Sequence, residues 1–180
     1  MIEQNQKKLI KWLIGVVIAA AVLSVLIFTG VLNPAKIKKF FMIEPDSHLM
    51  TNRNAYDIAL LEAQKWQPDA KLAFMDSGSI SERGRSNTWK AIFISSKVKA
   101  KGFSIEIEDY KIILLAEIIY NGVGADFPTN IISSEDAIKM VRATKGYEDA
   151  EIYGAEVIYM GNLWYWGVKT SKGVVSVKGK

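Results

Sequence analysis

Apolar and polar positions along this chain fall into blocks. Residues 13–32, L-I-G-V-V-I-A-A-A-V-L-S-V-L-I-F-T-G-V-L, carry no charge over 20 positions. At about 1.5 Å rise per residue such a helix reaches about 30 Å, the thickness of a hydrocarbon core. Trp12 with Lys7, Lys8 and Lys11 on one flank, and Phe40 and Phe41 among Lys36, Lys38 and Lys39 on the other, look like membrane interfaces. Asn33-Pro34 supplies a helix stop. A cleaved signal peptide would have a shorter apolar region and a small-x-small site, whereas this run exits into N-P-A-K. The expectation is a single-pass transmembrane helix at 13–32 that meets membrane lipid, after a cytoplasmic stub at 1–12. The flanking lysines nearly balance, and because a long tail translocates largely regardless of charge, the rest is expected outside the cytoplasm.

Beyond a juxtamembrane linker at 33–52, the periodicity changes. Tyr56, Ala59, Leu60 and Ala63 recur at helical spacing, with Asn52 or Asn54 available as cap and Pro68 as terminator. Strand-like runs follow: K-L-A-F-M, W-K-A-I-F-I-S, F-S-I-E-I-E and Y-K-I-I-L-L-A-E-I-I-Y. Strict alternation gives F-S-I-E-I-E one wet face, while Ile112 to Ile119 is apolar enough to predict burial on both. After the break N-G-V-G-A-D-F-P-T-N, Ser133 with Asp136 three residues on forms an N-cap ahead of Ala137, Ile138, Val141 and Ala143, and Gly146 stops the helix. Three more strand-like runs close the chain: A-E-I-Y-G-A-E-V-I-Y, L-W-Y-W-G-V-K-T and G-V-V-S-V-K.

Helix followed by strands thus occurs twice. At an offset of 80 positions Ile58 falls on Ile138, Leu61 on Val141, Asp69-Ala70 on Asp149-Ala150, Leu72 on Ile152 and Asp76 on Glu156. Shortening the hairpin loop brings Trp89 onto Trp164 and Phe93 onto Val168, and a second gap brings Lys101-Gly102 onto Lys172-Gly173. A duplication is the expected reading.

The pattern S-x-E-D-A-I (Ser133, Glu135, Asp136, Ala137, Ile138), a D-A-x-hydrophobic strand, the Trp-rich strand Leu163 to Val168 and the K-G-hydrophobic-x-hydrophobic strand through Val177 resembles the PepSY domain family. The first copy, from Ala55 to about Ile119, departs from it at Asn54-Ala55-Tyr56-Asp57. The resemblance implies an α+β, cystatin-like fold in two tandem helix-plus-antiparallel-sheet units, placed here at 53–122 and 131–180. It also implies a role outside the cytoplasm in regulating peptidases or organising envelope proteins. Members end in an acidic turn and a final strand. The first copy has Glu108-Asp109-Tyr110 leading into Ile112 and Ile113, but the second stops at Val177-Lys178-Gly179-Lys180, so its sheet is expected to be a strand short, its edge filled by a partner's strand or closed by the first copy.

Charge narrows the partners. Six of the 23 Lys and Arg flank the apolar run and Glu3 precedes it, which leaves 17 bases against 18 acids from Ile43 onward. That near-neutral balance excludes the basic stripe of a nucleic-acid binder. The absence of Cys rules out disulfides and thiolate chemistry. His48, the sole histidine, sits in the linker, where no scaffold would place it for a triad or zinc site. Asp76-Ser77-Gly78 follows an apolar strand as in aspartic peptidases, but a second such aspartate is missing, and the chemistry needs two carboxylates sharing a proton. Ser47 and Ser81 lie in no recognisable Ser/Lys motif. Glu106/Glu108 read as a solvated strand face, and Glu148/Asp149 as a turn.

No catalytic residue, metal site or cofactor is therefore expected. The functional expectation is a non-enzymatic binding or regulatory module with a protein or peptide partner near the membrane. The alternatives are a structural subunit of an envelope or secretion complex, and a membrane-anchored peptidase using Asp76. Trp164 and Trp166 share one strand face and should be core, leaving Tyr165, Tyr159 and Tyr153 toward solvent. Candidate partner-binding residues are Tyr165 and Tyr159, Arg83 and Arg85 in the polar, flexible loop from Ser77 to Thr88, and Val175 and Val177 on the last strand.

Overall fold

The computed structural model describes residues 48–179. The expected spanning segment 13–32, the stub 1–12 and the linker up to Ser47 lie outside the described residues. Among the described residues no helix is long and apolar enough to cross a membrane, so the single-pass expectation is corrected to the extent that this structure supplies no crossing helix.

Helix α1 spans Asn52–Trp66. Its cap is Thr51, one residue before Asn52 and three before Asn54, the expected caps. The Thr51 hydroxyl accepts from the backbone of Asn54, whose side chain returns to the Thr51 backbone, a closed capping box. Strands β1 (Lys71–Ser77), β2 (Thr88–Ser95), β3 (Val98–Glu108) and β4 (Lys111–Ile119) follow. Helix α2 (Ser134–Arg142) is capped by Ser133, which accepts from Asp136 N as anticipated. It precedes β5 (Ile152–Met160), β6 (Leu163–Thr170) and β7 (Gly173–Lys178).

The seven strands form one sheet in the order β4-β3-β2-β1-β5-β6-β7, antiparallel at every junction. This overturns the expectation of two tandem helix-plus-sheet units. The first strands of the two halves pair directly with each other, and a single core holds Trp89, Phe93, Ile105, Ile107, Val157, Trp166 and Val168 together with the inward faces of both helices. Both helices therefore cover the same side of the sheet, α1 over β2 and β3, α2 over β6 and β7.

The repeat survives inside this sheet as internal symmetry, in a register that differs from the sequence overlay. Four of the five buried residues of α1, Asn52, Ala55, Tyr56 and Ala59, match Ser134, Ala137, Ile138 and Val141 of α2, two positions from the predicted helix alignment. A bulge interrupts β1 between Leu72 and Phe74 and β5 between Ile152 and Gly154. Trp89 stands opposite Ser77, and Trp166 opposite Val157, so the true counterpart of Trp89 is Trp166 rather than Trp164, and that of Phe93 is Thr170. Asp76 and Glu156, equivalent residues, pair with each other across β1 and β5. Equivalent positions can face one another in this way only on a two-fold axis, which places that axis at the seam between the halves. Asn52 and Ser134, also equivalent, meet on it too: Ser134 Oγ lies 3.2 Å from Asn52 Oδ1 and donates to Gly84 O at 2.5 Å.

Two connections lock the halves together. The loop after β1, expected to be flexible, is docked: Ile80 is buried, Ser86 pairs with Met50, and Glu82 holds Arg142 of α2 at 2.6 Å. The segment after β4, expected as a break between units, bridges Ala125 to Leu72 and then buries Phe127 between Tyr56 (4.9 Å) and Trp164 (5.2 Å, edge-on), with Arg53 4.8 Å over its ring.

At the foot of β2, Asp69 accepts from Ser95 Oγ (2.7 Å), Ser96 Oγ (2.6 Å) and Ser96 N (3.2 Å). The bonds from Ser96 and Ser95 hold its carboxyl at about 2, below the usual 3.8. A depressed carboxyl stabilises the fold above the unfolded-state value and loses that contribution as pH falls through the folded value. Asp69→Asn should therefore unfold earlier than the wild type at pH 6, with the gap closing between about pH 4 and pH 2, as read from paired thermal melts. A gap that stays constant across this range would show that Asp69 acts through shape alone.

Candidate interaction face

The side of the sheet opposite the helices carries its functional groups in rows, because directly paired residues on antiparallel strands project to the same face. One row crosses the seam as Glu156, Asp76, Lys90 and Glu106 and ends at Leu114. Lys169 reaches into it from β6 and sets its ammonium 2.8 Å from Asp76 Oδ1 and 3.1 Å from Glu156 Oε2, while Lys90 and Glu106 pair at 3.0 Å. Burial alone would lower the Lys169 pKa, but the bonds to Asp76 and Glu156 outweigh it and raise it above the usual lysine value. The Glu156 side chain lies across Gly167, where any Cβ would come 3.1 Å from its Cγ.

The adjacent row is apolar: Tyr165, Ile158, Phe74, Ile92, Ser104 and Ala116 in spatial order. Its side chains are partly exposed at Tyr165, Ile158, Phe74 and Ala116 and buried at Ile92 and Ser104. Ser104 Oγ is buried with no hydrogen-bond partner among the described residues. Neither helix of the described residues covers either row. Together they make a band of hydrocarbon beside a band of compensated charge, an arrangement suited to holding a surface rather than enclosing a small molecule.

The residues singled out in the sequence are dispersed. Tyr165 belongs to the apolar row. Tyr159 does not share its face: it packs on Trp164 at 5.2 Å on the helix side and places its hydroxyl 3.4 Å from Asn162 Oδ1. Tyr153 is exposed, and Trp164 and Trp166 are buried in the core, as the alternation requires. Arg83 is exposed in the docked loop after β1, and Arg85 is half-buried there, its amide donating to Ser81 Oγ. Val175 and Val177 face the core from β7, leaving Val174 toward solvent. Phe74, Ile92, Ile158 and Lys169 escaped the sequence reading. Their signal was the alternation within β1, β2, β5 and β6, which names the two faces without saying which one the helices cover.

Asp76 has an acidic neighbour after all, but it is Glu156 of the other half, with Lys169 within bonding distance of both. An aspartic-peptidase dyad needs two carboxylates that share one proton in a water-excluding cleft, whereas these lie on an open sheet face bridged by an ammonium. His48 is exposed at the start of the described chain. Among the described residues no group of three or more His, Cys, Asp or Glu could hold a metal ion.

No protein-family model matches this sequence. No curated protein matches it either. The fold is similar to that in a crystal structure of a "putative lipoprotein" from Clostridium difficile 630, with a TM-score of 0.51 at 7% identity over 69% of this chain and 86% of that one. The likeness is one of fold.

Proposed function

We propose that this chain is a non-enzymatic, PepSY-like binding module, associated with the membrane on its extracytoplasmic side, that engages a protein or peptide through the helix-free face of its sheet. The observation that carries this reading is the partly exposed apolar row Tyr165, Ile158 and Phe74 running beside a charged row whose members are paired with one another. Asp76, Glu156 and Lys169, like Lys90 and Glu106, compensate one another's charge, while the apolar row gains by being covered. Membrane association is supported by the uncharged run 13–32 and agrees with the name borne by the structural neighbour. The near-neutral charge of the remainder speaks for a protein partner over nucleic acid.

A photo-crosslinking amino acid at position 165 or 74 of the full chain, irradiated in intact membranes, should yield one dominant protein adduct. The same probe at Leu61, exposed on the solvent side of α1, should not. Identical products from all three positions, or none from 165 and 74, would sink the proposal. A fixed-stoichiometry assembly surviving detergent extraction would favour the subunit of an envelope complex instead.

A further inference from the structure

The run predicted to be buried on both faces is the edge strand. In β4, Ile113 is 54% exposed, Leu114 and Leu115 46% each and Ile119 86%. On one side β4 pairs with β3, and among the described residues it ends the sheet. Natural edge strands are blunted by charge, proline or shortness. This one is nine residues long, has no proline, and carries no charge between Lys111 and Glu117. Its one irregularity is a register shift at Ile113, which leaves Leu114–Ile119 as the straight part.

We propose that two copies of this chain associate by antiparallel pairing of β4 with β4, joining two seven-stranded sheets across a two-fold axis. The inference goes beyond the proposed function and does not rest on it, since it uses the sheet's edge and not its open face.

Three observations commit the edge to a second copy. A strand added here must be apolar on both faces, because Leu114, Ala116 and Ile118 share the helix-free face with Glu106, Ser104 and Gly102, while Leu115 shares the other with Ile105. β4 is itself such a strand, and a two-fold interface needs a self-complementary surface. The charge pattern selects the register: centring on Glu117 would set two carboxylates opposite each other, whereas centring on Leu115 or Ala116 places Glu117 against an apolar residue of the other copy. Finally, the molecule already contains this kind of joint, since β1 and β5 meet antiparallel with Asp76 and Glu156 on the internal axis.

The chain has no cysteine, so a single engineered one reports cleanly. Directly opposed residues of an antiparallel pair have Cα atoms about 4.5–5.5 Å apart, within disulfide range. In full-length protein in native membranes, Leu115→Cys or Ala116→Cys should form a disulfide-linked dimer under mild oxidation, whichever residue lies on the axis. Val174→Cys, 62% exposed on the opposite edge strand, should remain monomeric. Adding Leu114→Lys should abolish the dimer while leaving the melting temperature of the monomer unchanged, because Leu114 is half-exposed in the single chain. No crosslink at 115 or 116, equal crosslinking at 174, adducts only to a different protein, or crosslinking unaffected by Leu114→Lys would each overturn the proposal.

Discussion

Trp166→Ala is expected to lower the unfolding free energy by about 3–5 kcal/mol, and Trp89→Ala by a comparable amount. Both indoles are fully buried. Each also donates Nε1–H over 3.1 Å to the carbonyl of the residue preceding a helix N-cap, Trp89 to Met50 O and Trp166 to Ile132 O. Each truncation therefore opens a cavity under its helix and strips the bond that ties the helix entry to the sheet. Trp→Phe should separate the two effects, keeping most of the apolar volume: at Trp166 it removes the donor to Ile132 O, a loss of about 1–3 kcal/mol, whereas at Trp89 the loss should be smaller, because Met50 O still accepts from Ser86 N at 3.0 Å. Denaturant unfolding of the six variants formed by Ala, Phe and the double substitutions would check both magnitude and coupling. Since both tryptophans lie in one core, each single substitution should lower the midpoint of one shared transition. Two separate transitions, each sensitive to one tryptophan, would show that the halves fold independently and that the single-sheet account is wrong.

The equivalence of these two tryptophans shows where reading the sequence stops short. Every strand and both helices were legible from apolar spacing, as was the Ser133 cap, because such signals are local. The equivalence of Asp76 and Glu156 was legible in the overlay of the repeats, though not their pairing across the seam. What the overlay could not supply was the length of each connection. Trp164 and Trp166 are both aromatic, both buried and two residues apart on the same face, so pattern alone cannot decide which one matches Trp89; only the shared bulge and the cross-strand register do. The helices slipped by two positions for a related reason, since Ala and Ile recur at more than one spacing along an amphipathic face.

The larger error, two units in place of one sheet, has a different origin. Whether the first strands of two repeats pair with each other is a long-range event to which no short stretch of sequence testifies. The same holds for β4. An apolar run is compatible with the middle of a sheet or with an edge awaiting a partner, and its composition is the same in both. Of the candidate site, Tyr165 was identified from the sequence, while its neighbours Phe74, Ile92 and Ile158 became a row only once β1 was known to lie between β2 and β5.

The seam between the halves is also the place for a second large effect, at Gly84. Its φ of +69° lies in the left-handed region, which glycine enters without strain. Its surroundings are more restrictive than its torsion. A Cβ at this position would stand 2.2 Å from Glu135 N and 2.6 Å from Ser134 C, both backbone atoms at the first turn of α2. Neither can swing aside as a side chain would. The loop would have to lift from the helix, releasing the bond from Ser134 Oγ to Gly84 O and weakening the bridge from Glu82 to Arg142. Gly84→Ala should thus cost about 2–4 kcal/mol, well above the 1–2 kcal/mol of a left-handed alanine alone. Gly146→Ala supplies the calibration: Gly146 also has positive φ, +91°, but nothing lies within 4 Å of its would-be Cβ. If the two substitutions destabilise equally, the loss at Gly84 is purely torsional and the docking of the loop on α2 contributes nothing. If Gly84→Ala is the more costly and Glu82→Ala then adds little to it, the loop is a clasp whose contacts are made or lost together.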